Sequence, residues 1–223
     1  MHELIKRLDK LFLKLDHTAL LVEQSIADVI EVVLSGNQID AIAVIESDEE
    51  IDRREVEIER ECIRLLALYQ PAAIDLRRIC FIIKVNSDLE RIADLCVSIA
   101  KMQLRMNEHD ASIHSILSFR KLADTASATY RKTIQLLAPQ RDGNTDNLAF
   151  AESIIQGDPE NDAAFKDYLA EVLSEASPFK GNTDAIYALT SLGRSFERIG
   201  DLCCDIAEDA IFLETGEIVR HRR

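Results

Sequence analysis

Nine carboxylates are arranged in four short columns, and columns of this kind can bind metal. Glu90 is followed four residues later by Asp94, and Glu197 by Asp201 and then Asp205. Asp48 with Asp52, in VIESDEEID, and Asp158 with Asp162, in IIQGDPEND, repeat the spacing. Residues four apart on a helix differ by about 40° around its axis, so each set lies on one face. Like charges so placed repel by a few tenths of a kcal/mol per pair unless a cation or a base neutralises them. An all-oxygen surface site of this type suits hard cations such as Mg²⁺, Mn²⁺, Ca²⁺ or iron, with carboxylates shared between several ions. The same columns also fit a solvated acidic face. Arg91 and Arg198 adjoin the columns in sequence but lie about 100° round the helix from their neighbours Glu90 and Glu197, so they do not cancel the charge directly.

The elements that must carry these columns follow from composition and spacing. The 223 residues include only 7 Gly and 4 Pro and are 47% apolar and 5% aromatic, which leaves few turns and ample aliphatic material for a helical core. Breaks fall at Ser35-Gly36-Asn37, at Gln70-Pro71, around Asn107 to Asp110, from Pro139 to Thr145, and from Pro178 to Asn182. Between them run six segments with apolar residues three and four apart, as in Ile26, Val29, Ile30, Val33 and in Ile82, Val85, Leu89, Ile92, Cys96, Ile99. Six long helices, joined by short links into antiparallel neighbours, are expected.

The chain is also duplicated. Pro71 precedes Asp94 by 23 residues, as Pro178 precedes Asp201, and with this offset of 107 eight of the twelve positions in 90–101 and 197–208 are identical. Two three-helix units follow, residues 1–107 and 108–223, related by approximate two-fold symmetry. The columns should stand at matching heights. Counted from the turn, Asp48 and Asp52 lie about 21 and 17 residues before it, and Asp94 and Glu90 about 22 and 18 after it. Asp158 and Asp162 match Asp201 and Glu197 in the same way.

Several function classes fit poorly. A net charge of −14, from 40 acidic and 26 basic residues, disfavours nucleic acid, and the basic end Arg220-His221-Arg222-Arg223 is too short to reverse it. No 18-residue apolar window or signal peptide is evident, so a cytoplasmic protein is expected. Five cysteines without Cys-x-x-Cys spacing fit reduced core fillers, with adjacent Cys203-Cys204 as a soft-metal or redox site the alternative. A di-iron bundle enzyme needs Glu-x-x-His, and none of His2, His17, His109, His114 or His221 follows an acidic residue by three. No phosphate loop or nucleophile with an evident base appears, and the chain reads as a non-enzyme.

The phrases DLERIADLCVSIA and FERIGDLCCDIAEDAIFLETGEIVRH, with VEQSIADVI, VIESDEEID and RLLALYQPAAIDLRRI in the same order, resemble the duplicated signature of the PhoU family. The resemblance implies an all-α protein of two pseudo-symmetric three-helix bundles without catalytic activity. It implies multinuclear metal clusters on Glu/Asp-x-x-x-Asp motifs, here Asp48, Asp52, Glu90 and Asp94, then Asp158, Asp162, Glu197, Asp201 and Asp205. The first unit has Ser98 where the second has Asp205 and is one carboxylate poorer. Arg91 and Arg198 would steady carboxylates or meet a partner. The expected cofactors are divalent or trivalent ions, Fe, Zn, Mg or Mn. The expected role is negative regulation of phosphate uptake and of the phosphate-starvation response, as an adaptor between the phosphate ABC transporter and a sensor histidine kinase. A homodimer that meets the membrane only through protein partners is expected. The rivals are a metal-free helical interaction protein and a carboxylate-metal enzyme.

Overall fold

The computed structural model describes residues 2–108, 113, 116–137, 147–174 and 177–219. The basic end and the Pro139–Thr145 break of the sequence reading lie outside them. Helices α1 (His2–Ser35), α2 (Gln38–Tyr69) and α3 (Ala73–Glu108) form the first unit, and no strand occurs among the described residues. The second unit consists of α4 (Ser118–Gln135), α5 (Asn147–Gln156), α6 (Asp158–Val172) and α7 (Thr183–Thr215). The fold class is therefore the expected helical one, with one departure. The segment read as a single fifth helix is two, because Gly157 weakens the helix and Pro159 has no N–H to donate. A tight turn bridges the pieces: the Gly157 N–H donates to Ile154 O (3.0 Å) and the Glu160 N–H to Gly157 O (3.0 Å). Asp158 consequently opens α6 instead of lying mid-helix.

The turn chemistry anticipated by the breaks is present. Asn37 caps α2, its side chain accepting from the Ile39 N–H (2.9 Å), and Asn182 caps α7 by accepting from the Ala185 N–H (3.0 Å). Gly216 ends α7 at φ +77°, where its N–H reaches Phe212 O (2.8 Å).

Burial follows the apolar spacing. On α1, Leu4, Leu8, Leu11, Leu15, Val22, Ile26 and Val29 all face inward. Helices α3 and α7 make the most extensive pairing in the molecule and join the two units. They run antiparallel: Lys84 pairs with Asp209 at one end, and Arg105 with Asp184 (3.4 Å) at the other. Tyr130 of α4 adds a second tie between units, its buried hydroxyl donating to Ala19 O of α1 (2.9 Å). Phe119 meets Phe196 edge to face, 5.7 Å between centroids, and seats α4 on α7.

Helix α4 lacks a cap of its own, since Leu117 supplies no side-chain bond. Glu171 of α6 takes that place by accepting from the Leu117 N–H (2.9 Å), the Ser118 N–H (2.9 Å) and the Ser118 hydroxyl. Burial acts to raise this carboxyl, but the Ser118 and Leu117 bonds outweigh it and hold it below its ordinary value. Its contribution to stability is thus present above the ordinary value of 4.5 and lost in stronger acid. Glu171→Ala is expected to destabilise the fold by about 1–2 kcal/mol, read as a lower denaturation midpoint. An unchanged midpoint would show that water replaces the cap.

Candidate metal centre

The pairing of α2 with α3 follows a falling register. The Asn86 amide of α3 donates to Glu55 O of α2 (2.9 Å), and the Cys62 thiol, raised by burial first, is raised further by its neighbours Glu61, Glu59 and Cys80. Continued one way, this register brings Asp48 and Asp52 opposite Asp94 and Glu90. The electrostatics agree. Burial, then Asp52 and Asp94, push the Asp48 carboxyl up to about 6. Glu90 is raised by burial, then by Asp94, Asp52, Glu55 and Asp48. Asp48 and Glu90 are half-buried, whereas Asp52 and Asp94 are exposed. The four expected residues of the first unit thus share one acidic region, to which Glu55, overlooked in the sequence, also belongs.

In the second unit α6 and α7 pair in the same sense. Asn161 Nδ2 donates to Glu197 O (3.2 Å) and the Tyr168 hydroxyl to Leu189 O (3.0 Å), while the Cys204 thiol meets Asp158 Oδ1 at 3.6 Å. Glu197 is raised by burial and by Asp201, against the lowering effect of Arg194, with a further rise from Asp162. Asp158, Asp162, Glu197 and Asp201 are all half-buried.

Two glycines allow this close pairing. A Cβ on Gly200 would stand 2.1 Å from Asn161 Nδ2, and one on Gly193 would stand 2.4 Å from the Tyr168 ring.

Asp205 is exposed and reaches toward the other unit. With Asp209 it raises the Asp88 carboxyl of α3, which burial has already pushed up, to about 6. Asp88 itself pairs with Arg91 (3.6 Å), so that arginine serves the seam between units. Among the bases that meet candidate ligands are Arg194, 3.3 Å from Glu197, and Lys166, 4.0 Å from Asp162, both passed over in the sequence reading. The counterpart of Arg194 in the first unit is Ser87, which carries no charge. Arg198 is exposed.

The donors suit cations. Each unit gathers four carboxylates on two helices, and burial first, then their mutual repulsion, raises the pKa of Asp48, Glu90 and Glu197. A bound cation would neutralise that charge and cross-link the helix pair. Among the described residues no three His, Cys, Asp or Glu side chains are drawn together at metal-ligating distance. No helix among them is long and apolar enough to cross a membrane.

These features define a class: a duplicated all-helical scaffold with an acidic region on the outer helix pair of each unit and no catalytic constellation recognised in its sequence. The chain belongs to the PhoU family, whose domain model matches twice, at residues 15–102 and 119–210. It is 32% identical to a phosphate-specific transport system accessory protein PhoU homolog of Aquifex aeolicus over 220 residues, 96% of each chain. A homolog of the same description from Pseudomonas putida is 32% identical over 201 residues, 90% of this chain and 76% of the relative. The crystal structure of PhoU from Pseudomonas aeruginosa superposes with a TM-score of 0.84 at 28% identity, covering 95% of this chain and 99% of that one. That of the phosphate transport system regulatory protein PhoU from Streptococcus pneumoniae also gives 0.84, at 24% identity over 98% and 100%.

Proposed function

We propose that this chain is a negative regulator of phosphate uptake and of the phosphate-starvation response, acting as a metal-binding adaptor between a phosphate ABC transporter and a sensor histidine kinase. What carries the reading is the family membership together with the duplicated acidic region, whose charge calls for a cation or a basic partner surface. The relatives are described as accessory proteins of the phosphate-specific transport system, and the same role is proposed here. The chain acts by binding, in the cytoplasm, as a homodimer held at the membrane by its protein partners. Metal held by Asp48, Asp52, Glu90 and Asp94, and by Asp158, Asp162, Glu197 and Asp201, would stiffen each helix pair and present a less negative surface.

A second reading, a metal-free helical interaction protein, is favoured by the exposure of Asp52 and Asp94. Metal analysis of protein purified without chelator separates the two.

The regulatory role is tested with a phosphate-starvation reporter in cells given ample phosphate. Deletion of the gene is expected to switch the reporter on, and re-expression to silence it. A reporter that stays silent in the deletion strain would remove the proposed role.

A further inference from the structure

A pocket of about 600 Å³ opens where the two units meet. It lies more than two turns from Glu90 along α3 and from Asp201 along α7, clear of both acidic regions. Its floor is made by Phe81, Leu137 and Ala210, all buried, and Phe12 stacks on Phe81 with ring centroids 6.2 Å apart. Leu13 and Ile74, 52% and 41% exposed, form an apolar rim.

Folded interiors leave few voids larger than a water molecule, so a space of this size has a structural cause. Helix α4 runs antiparallel to α1, with Tyr130 bonded to Ala19 O and Leu136 reaching the pocket beside Phe12, and it ends at Gln135. Helix α1 continues for about three more turns to His2. The pocket is the space that this mismatch in length leaves between the units. The link of residues 138–146, whose only apolar side chains are alanine and proline, is poorly suited to fill an apolar floor.

Size and charge select the occupant. Small-molecule sites span about 300–1,000 Å³, with apolar walls and a few polar groups at the edge, whereas one anchoring side chain of a docking protein would fill only a fraction of this volume. Among the described lining residues two are carboxylates, Asp9 and Glu214, both exposed at the mouth. The lining base, Arg78, is held 3.6 Å from Asp75. Asn147 donates to Glu214 (3.3 Å) and ties α5 to α7 beside the opening. Such a mouth favours a cation over an anion.

We propose that the pocket binds a small hydrophobic amine, its apolar body on Phe81 and Ala210 and its ammonium group at the mouth with Asp9 and Glu214. The occupant meets α1 and α3 of the first unit and α7 of the second, and so clamps the units together. The inference is separate from the metal reading and from the regulatory role, which the reporter tests by itself.

The test is isothermal titration of the full chain with octylamine, octanol and octanoate, each below its micelle threshold, with scanning fluorimetry alongside. Octylamine should bind one per chain, at least tenfold more tightly than octanol and more tightly still than octanoate, and should raise the thermal midpoint. Asp9→Asn combined with Glu214→Gln should bring octylamine down to the affinity of octanol and leave octanol unchanged, which a loss of packing would not do. Ala210→Leu, which fills the floor, should abolish binding of all three. If circular dichroism shows that this variant has lost helix, Leu13→Arg at the exposed rim is expected to weaken octylamine tenfold or more. Octanoate binding as tightly as octylamine would overturn the proposal. So would octylamine uptake that does not saturate at one per chain, or that persists in folded Ala210→Leu or Leu13→Arg protein.

Discussion

In metal-stripped protein at pH 7.5, Asp48→Asn raises the thermal midpoint by about 3–6 °C, and with saturating Mn²⁺ the order reverses. The carboxyl of Asp48 is raised from 3.8 to about 6 by burial and by the charges of Asp52 and Asp94. A folded-state value above the unfolded one means that the folded protein binds the extra proton. Stability therefore rises as pH falls from above 6 toward 4, and the full penalty applies at neutral pH. A shift of this size has a ceiling of about 3 kcal/mol, and solvent screening at a half-buried carboxylate reduces it to about 1–2 kcal/mol. For a chain of this length that is a few degrees. Asparagine keeps the shape and removes the charge. Metal inverts the sign, because the ionised carboxylate is then the ligand, and acid that protonates it releases the ion. Scanning fluorimetry at pH 7.5 and 5.5, with chelator and with Mn²⁺, reads all four corners. If the variant and the parent keep the same order with and without Mn²⁺, Asp48 is no ligand.

A larger loss is expected at Gly193. An added methyl would stand 2.4 Å from the ring of Tyr168, which is fully buried and bonded through its hydroxyl to Leu189 O. The ring cannot turn away without breaking that bond, and α6 cannot retreat without opening its whole contact with α7. Gly193→Ala should destabilise by about 2–4 kcal/mol, combining overpacking with the lost hydrogen bond. The denaturant midpoint should fall at unchanged slope. Any stabilisation that added Mn²⁺ gives the second unit should fall with it, since the same contact positions Asn161 and Asp158. A midpoint within error of the parent would show that α6 and α7 are not locked at this crossing.

Much of the molecule was legible before any coordinates. Helix class, five of the six segments, the caps at Asn37 and Asn182 within the anticipated breaks, and the doubled carboxylate columns all follow from local spacing, because a helix converts separation along the chain into position on a face. The repeat made the two halves comparable residue by residue, and in doing so marked Ser98 as the position that Asp205 does not match. What spacing along one helix does not carry is the rotation of its neighbour. Asp205 drifts about 40° from Asp201, and packing of α7 against α3 turned it toward Asp88. Arg91 belongs to the seam and Arg194 to the site for the same reason, since each base pairs with whichever carboxylate the adjoining turn presents. Glycine at 193 and 200 reads as a weak helical residue in sequence, and only the approach of Tyr168 and Asn161 makes it a requirement. The chain by itself determined which residues lie on which face; the tertiary structure decided which faces meet, because that choice is made by packing volume summed over whole helices.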